Sequence, residues 1–89
     1  MKLRVYAVLD KAVQAYLTPL CFRSHGEAMR SFGDAVLNRD SVFFKHKEDY
    51  AFCFIGWYDD SLGQFVDCTA PAVVCEAATV SLNGFEAAD

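Results

Sequence analysis

The most reactive side chains in this 89-residue sequence are those of its four cysteines, Cys21, Cys53, Cys68 and Cys75. They are separated by 32, 15 and 7 positions, so no C-x-x-C pair is present, and this spacing fits no zinc-binding pattern. The first ten residues alternate in polarity and lack the apolar centre of an export signal. We therefore expect reduced, buried thiols that pack as small hydrophobic side chains, with disulfides as the alternative.

Acid–base or metal chemistry would have to come from the two histidines or from the adjacent pair Asp59-Asp60. Neither histidine belongs to an H-x-x-x-H pair. We expect His25 on the surface of a helical first turn and His46 paired with Asp49 in a loop, while the aspartate pair is typical of a turn. The sequence also contains no glycine-rich phosphate loop and no nucleophile elbow. It therefore predicts a protein that is not an enzyme and uses neither a metal nor a cofactor.

A third kind of chemistry, binding of single-stranded nucleic acid, needs cations for the phosphates and exposed aromatic rings for base stacking. The N-terminal half of the sequence supplies both residue types. The alternative is that these rings belong to the core or to an oligomer contact, since the net charge of −4 opposes the approach of DNA. The predicted nucleic-acid-binding residues are Arg4, Tyr6, Tyr16, Phe22, Arg23, Arg30, Lys45, His46 and Lys47.

Charged residues are distributed unevenly along the sequence. Residues 1–47 hold all eight lysines and arginines and four acids, a net charge of +4, whereas residues 48–89 hold eight acids and no base, a net charge of −8. This asymmetry indicates a basic binding face beside an acidic one, or subunits that attract each other. Folding could equally mix the two halves over the surface.

Composition and length limit the class of protein. Hydrophobic residues make up 54% of the chain and aromatic residues 15%, which excludes intrinsic disorder. No apolar run reaches the ~18–20 residues that a membrane span needs, so we expect a soluble protein without a membrane partner. A chain of this length has room for one core. We expect a single domain over residues 1–80 and an acidic, frayed tail over residues 81–89.

Residues 3–22 predict a β-hairpin. Residues 3–9 and 13–18 alternate in hydropathy with period two, which is typical of strands. Pro19 cannot donate a hydrogen bond and should end the second strand, with residues 20–22 continuing as an extended segment.

A helix is predicted to follow this hairpin. Ser24 and Glu27 match a capping box, and the helix is predicted to stop at Asn38. The apolar stripe that should face the sheet consists of Ala28, Met29, Phe32, Ala35 and Val36.

The second half of the sequence predicts a loop, two strands and a short helix. Residues 39–49 form a long polar loop anchored by two phenylalanines, and residues 50–58 form the central strand, apolar on both faces. Turn residues 59–63, with glycine at the end, precede a strand over residues 64–68. A short helix is predicted from Pro71 to Ala78.

These elements imply an α+β fold in the order ββαββ: a small antiparallel sheet of about four strands, with one capped helix packed on one face and a short C-terminal helical turn. Packing of the one helix on the sheet would not bury all of the aromatic side chains. We therefore expect the other face of the sheet to be buried in a homodimer or ring.

Five segments in the same order resemble the small nonstructural protein of gokushoviruses, single-stranded DNA phages of the Microviridae. The resemblance extends from residue 3 to about residue 78. Lys47 stands where the family typically has a proline, and the tail after Thr79 is longer and more acidic. The five segments are Val5-Tyr6-Ala7-Val8-Leu9-Asp10, Ala15-Tyr16-Leu17-Thr18-Pro19-Leu20, Gly26-Glu27-Ala28-Met29-Arg30-Ser31-Phe32, Lys45-His46-Lys47-Glu48-Asp49-Tyr50, and Ile55-Gly56-Trp57-Tyr58-Asp59-Asp60 with Gly63.

The resemblance implies a nonstructural phage protein in the host bacterial cytoplasm that is absent from the mature virion. It implies a non-catalytic role in which the protein binds single-stranded DNA during genome replication or packaging. The alternative is a self-assembling module that engages phage or host replication or packaging proteins without touching DNA.

Overall fold

Two long antiparallel strands at the centre of one sheet organise the fold, and they pair with each other along their whole length. The computed structural model describes residues 1–81 and 84–85. In chain order the elements are β1 (Lys2–Asp10), β2 (Ala15–Tyr16), β3 (Leu20–Phe22), α1 (His25–Leu37), α2 (Val42–Lys45), a 3₁₀ turn (Lys47–Asp49), β4 (Tyr50–Asp59), β5 (Gln64–Val66), β6 (Ala72–Glu76), a second 3₁₀ turn (Ala77–Thr79), β7 (Val80–Ser81) and β8 (Gly84–Phe85).

The main sheet contains six strands, and two of its four positions are each shared by two short strands. β1 and β4 are central, β2 and β3 both flank β1, and β5 and β6 both flank β4. β7 and β8 form a separate antiparallel pair. The α+β class with one main helix is therefore confirmed, whereas the prediction of four strands in the order ββαββ is wrong.

Each flank of the sheet is split because turn residues interrupt it. Gln14 has a left-handed backbone (φ 57°), so β2 starts later than alternation suggested, and Pro19 separates it from β3. On the other flank, Asp67 is left-handed (φ 51°) and ends β5 before Cys68. A residue with positive φ cannot continue a regular strand.

The predicted C-terminal helix is wrong for most of its length. Residues 72–76 form strand β6, which pairs with residues 51–54 of β4, and only Ala77–Thr79 make a helical turn. Val73 and Val74 favour a strand, and the adjoining edge of β4 offers partners for their backbone groups. Pro71 precedes the strand, where a missing N–H costs least.

The helix prediction is confirmed at both ends. The Ser24 hydroxyl accepts a hydrogen bond of 3.1 Å from the Glu27 amide, and α1 ends at Leu37 with Asn38 as its C-cap residue. Ala28, Phe32 and Val36 are buried against the sheet, as the apolar stripe predicts. With 13 residues, α1 is the longest helix in the described ranges, and none there is long and apolar enough to cross a membrane.

The core between α1 and the sheet is built on stacked rings. Phe52 of β4 lies parallel to Tyr6 on one side, with ring centroids 4.9 Å apart, and to Phe32 of α1 on the other, at 4.6 Å. Phe43 extends the series by packing between Phe32 and Tyr50. Its ring centroid lies 6.1 Å from that of Phe32 and 4.8 Å from that of Tyr50. The long loop predicted before β4 therefore contains ordered turns, α2 and a 3₁₀ turn, because Phe43 anchors it in the core.

The cysteines do not share one environment. Cys53 and Cys75 are buried, and burial raises the pKa of both thiols, so they pack as neutral side chains. Cys21 and Cys68 are exposed, which corrects the expectation of four buried thiols. The predicted tail over residues 81–89 lies largely outside the described residues. Within it, Ser81 belongs to β7, which pairs with β8.

Gly56 provides a test of the packing at the edge of β4. A Cβ atom at this position would lie 2.7 Å from both the Cα and the Sγ of Cys68. Gly56→Ala should therefore force the β5–β6 connection outward and lower the free energy of unfolding by about 1–3 kcal/mol. Urea denaturation followed by circular dichroism measures this change.

Gly26→Ala is the matched control for this prediction. A Cβ at Gly26 in the first turn of α1 meets nothing within 4 Å, so the substitution should leave stability unchanged or raise it, because alanine favours helix. Equal effects at the two glycines would contradict the tight contact between Gly56 and Cys68.

Candidate nucleic-acid interface

One end of the sheet carries an arginine over aromatic rings. The Cζ atom of Arg4 lies 4.7 Å from the ring centroid of Trp57 and 5.4 Å from that of Phe54, and the two rings meet edge to face at 5.9 Å. Phe22 is the register partner of Arg4 on β3. All four side chains are partly exposed. The group that we call the Arg4 surface comprises Arg4, Phe22, Arg23, His25, Phe54 and Trp57.

The cations of this surface are available to an anion. An arginine that lies over a ring keeps its N–H donors in the plane of the guanidinium, where a phosphate can accept from them. Arg23 is exposed in the segment that leads to α1. The ion pairs within residues 1–81 use neither Arg4 nor Arg23.

Tyr6 lies beneath the Arg4 surface. Its side chain is fully buried, with 0% exposure, and its hydroxyl oxygen lies 2.7 Å from Nδ1 of His25. Burial raises the pKa of the Tyr6 hydroxyl, while the Arg4 guanidinium opposes this rise. No face of the ring is open to a base, so Tyr6 leaves the predicted set of stacking residues. It ties β1 to the start of α1 and so positions the surface above it.

A second group of cations surrounds Phe44 on and next to α2. The Nζ atom of Lys47 lies 5.0 Å from the Phe44 ring centroid, and the Cζ atom of Arg39 lies 6.0 Å from it. Lys45 and His46 are exposed on the same short segment. These five residues form what we call the Phe44 cluster. His46 was expected to pair with Asp49, and the two residues are joined by a backbone hydrogen bond, in which the Asp49 N–H donates to the His46 carbonyl at 2.9 Å.

The nine predicted residues therefore do not form one site. Arg4, Phe22 and Arg23 belong to the Arg4 surface, whereas Lys45, His46 and Lys47 belong to the Phe44 cluster. The series of core ring contacts from Tyr6 through Phe52 and Phe32 to Phe43 separates the two groups. The two remaining residues are Tyr16, 48% exposed on the edge strand β2, and Arg30, exposed on α1.

Folding partly mixes the basic and acidic halves of the chain. Lys2 pairs with Asp67 at 3.5 Å and Lys11 with Glu76 at 2.7 Å, and both pairs join the basic half to the acidic half. These contacts neutralise two cations of β1 and the adjoining turn. The cations of the Arg4 surface and the Phe44 cluster stay outside the ion pairs of the described residues.

An apolar groove of about 240 Å³ adjoins the Arg4 surface. It lies between α1 and the segment of residues 17–22 that leads into and includes β3, and Phe22 belongs both to the groove and to the Arg4 surface. Its volume is below the ~300–1,000 Å³ of pockets for drug-sized ligands, so it fits one apolar side chain or one ring. Its lining residues are Val8, Leu17, Thr18, Leu20, Phe22, Ser31, Phe32, Ala35, Phe43 and Phe52.

Comparison with known proteins identifies the family. The family model described as phage ORF5 protein matches residues 3–80. The chain belongs to the phage ORF5 family. It is also 33% identical over 78 residues to Protein ORF5 of Chlamydia phage 1, an alignment that covers 82% of this chain and 80% of the relative. The predicted gokushovirus relationship is therefore confirmed. No solved structure matches the chain.

Two residues of this ORF5-family surface, Phe54 and Trp57, were missed by the sequence prediction. Strict alternation along β4 would place Trp57 on the face opposite Phe54. A β-bulge changes this: Val5 pairs with Gly56 but Tyr6 pairs with Phe54, so Ile55 is the extra residue. One inserted residue moves Trp57 to the face of Phe54 and Arg4. The signal that could have revealed the bulge is Gly56, since a glycine within a strand often marks one.

Proposed function

We propose that this ORF5-family protein binds single-stranded DNA through the Arg4 surface, without catalysis, during phage genome replication or packaging. The observation that carries the proposal is the position of Arg4 over the partly exposed rings of Trp57 and Phe54. Single-strand-binding proteins combine cations for phosphates with rings for bases.

The arrangement suits a single strand better than a duplex. A stacking platform needs bases whose faces are free, and in a duplex those faces are covered. Phe54, Trp57 and Phe22 offer ring surfaces on one side of the sheet, and Arg4 and Arg23 lie beside them. Because stacking tolerates every base, we expect little sequence preference.

The net charge of −4 weakens long-range attraction to DNA. The proposed contact therefore depends on short-range stacking and on few phosphates, and binding should be moderate. In this proposal the protein acts in the host cytoplasm, is absent from the mature virion and meets other phage replication or packaging proteins on the same DNA.

The proposal predicts salt-sensitive binding of a labelled single-stranded oligonucleotide, measured by fluorescence anisotropy. With two phosphate contacts, one each from Arg4 and Arg23, affinity should fall about 7-fold between roughly 50 and 200 mM salt, because single strands give a slope of about −0.7 per contact. A duplex of the same sequence should bind more weakly. Absence of binding at low salt, or equal binding of the duplex, would contradict the proposal.

The alternative expected from the sequence is a self-assembling module that engages phage or host replication or packaging proteins without touching DNA.

A further inference from the structure

The apolar groove beside the Arg4 surface has a closed floor and an open mouth. Its lining residues Phe52 and Phe32 are only 1% and 4% exposed, whereas Leu17 and Leu20 are 42% and 49% exposed. Phe22 belongs both to the groove and to the Arg4 surface. A strand of DNA on the Arg4 surface would therefore lie next to the mouth of the groove.

The shape and lining of the groove suit a flat ring. Four of its ten lining residues are phenylalanines, and its volume is about 240 Å³. Aromatic side chains hold a flat ring through offset-stacked or edge-to-face contacts. A groove of this size and composition favours the single ring of a pyrimidine over the two fused rings of a purine.

Two hydroxyl groups interrupt the apolar lining. Thr18 lies on the side of residues 17–22, and Ser31 lies on α1. Neither side chain makes a hydrogen bond to another of the described residues. Because a hydroxyl group can both donate and accept, the groove offers partners to a ring whose edge carries carbonyl and N–H groups.

Positive charge without a neighbouring acid lies on one side of the groove. Residues 13–23 contain no acid, and Arg23 at their end is exposed and takes no part in the ion pairs within residues 1–81. On the other side, α1 carries Glu27 and Asp34 as well as Arg30. The phosphates of a bound strand should therefore follow the side of Arg23, with the base directed toward α1.

From these features we infer that the groove binds one thymine base of the DNA strand that lies on the Arg4 surface. The inference rests on the proposed function and adds a binding position to it. Thymine is the base that carries a methyl group, which the apolar lining would cover, while Thr18 and Ser31 contact its polar edge. The Arg4 surface tolerates every base, so the preference is confined to one nucleotide of the strand.

Two oligonucleotides of equal length, one of thymidine and one of deoxyuridine, test the inference because they differ only in the methyl group of each base. Burial of one methyl group should make the thymidine strand bind about 4-fold more tightly in anisotropy titrations. Equal affinities would overturn the inference but not DNA binding, and would leave the groove to an apolar side chain of a partner protein. Absence of binding to both strands would overturn the proposed function and this inference together.

Ala35→Leu assigns the preference to the groove. Ala35 is a partly buried lining residue on α1, so a leucine there should fill the groove. We expect this variant to bind the two strands equally and to keep the salt-sensitive binding of the Arg4 surface. Ala15→Leu adds the same side chain on β2, outside the groove lining, and should keep the 4-fold preference. A preference that survives Ala35→Leu would overturn the inference.

Thr18→Val is a second variant, which removes a hydroxyl group but keeps the shape of the side chain. Loss of one hydrogen bond should weaken binding of both strands by about 2- to 10-fold and leave the ratio between them unchanged. Circular dichroism establishes that each variant is folded. Unchanged affinity in Thr18→Val would overturn the polar contact that the inference requires.

Discussion

Phe52→Ala is expected to cause the largest loss of folding stability. Phe52 is 1% exposed and stacks between Tyr6 and Phe32, so its ring joins β1, β4 and α1. Removing a buried phenylalanine costs about 3–5 kcal/mol. A domain of this length has about 4–13 kcal/mol of stability in total, at roughly 0.05–0.15 kcal/mol per residue.

Phe44→Ala is the matched control. The Phe44 ring lies under Arg39 and Lys47 and is only partly buried, so its removal should cost about 1 kcal/mol or less. Urea titrations of both variants, followed by circular dichroism, give the comparison. Similar losses in the two variants would contradict the central position of Phe52 in the core.

Trp57→Ala is expected to produce the largest loss of DNA affinity. One base stacked on an aromatic ring is worth about 1–3 kcal/mol, or about 5- to 150-fold in affinity. Trp57→Phe keeps a ring at this position and should retain most of the binding. Anisotropy titrations at one salt concentration measure both variants. If alanine and phenylalanine weakened binding equally, stacking on Trp57 would be excluded.

Arg4→Ala completes this test through the salt dependence. Loss of one phosphate contact should reduce the slope of log affinity against log salt by about 0.7. Arg39→Ala removes the same charge from above the ring of Phe44 and should leave the slope unchanged. If Arg39→Ala reduced the slope and Arg4→Ala did not, the DNA strand would lie on the Phe44 cluster.

The sequence predicted those parts of the fold that depend on local signals. Ser24 and Asn38 mark the ends of α1 because capping acts within a few residues. The period of two in β1 is also local, as is the turn that ends at Gly63, whose backbone is left-handed (φ 67°). These features need no knowledge of the rest of the chain.

The errors concern features that depend on distant partners. Residues 72–76 form a strand because the edge of β4 is there to pair with them, and no signal within the segment reveals that edge. The place of Trp57 depends on a bulge against β1, fifty residues earlier in the chain. The burial of Tyr6 results from rings supplied by β4 and a histidine supplied by α1. The sequence therefore predicted that the candidate site combines cations with aromatic rings. It did not predict which cations and which rings lie together.

Trp57 itself allows the most direct test of the central claim, that a single strand of DNA lies on the Arg4 surface. It is the only tryptophan in the sequence, so fluorescence excited at wavelengths that tyrosine does not absorb reports on this site alone. Stacking of a base on the indole quenches its emission. We expect addition of an unlabelled single-stranded oligonucleotide to quench Trp57 in a saturable manner that high salt reverses. Binding detected by anisotropy without any change in Trp57 emission would contradict the account, because the strand would then lie elsewhere on the protein.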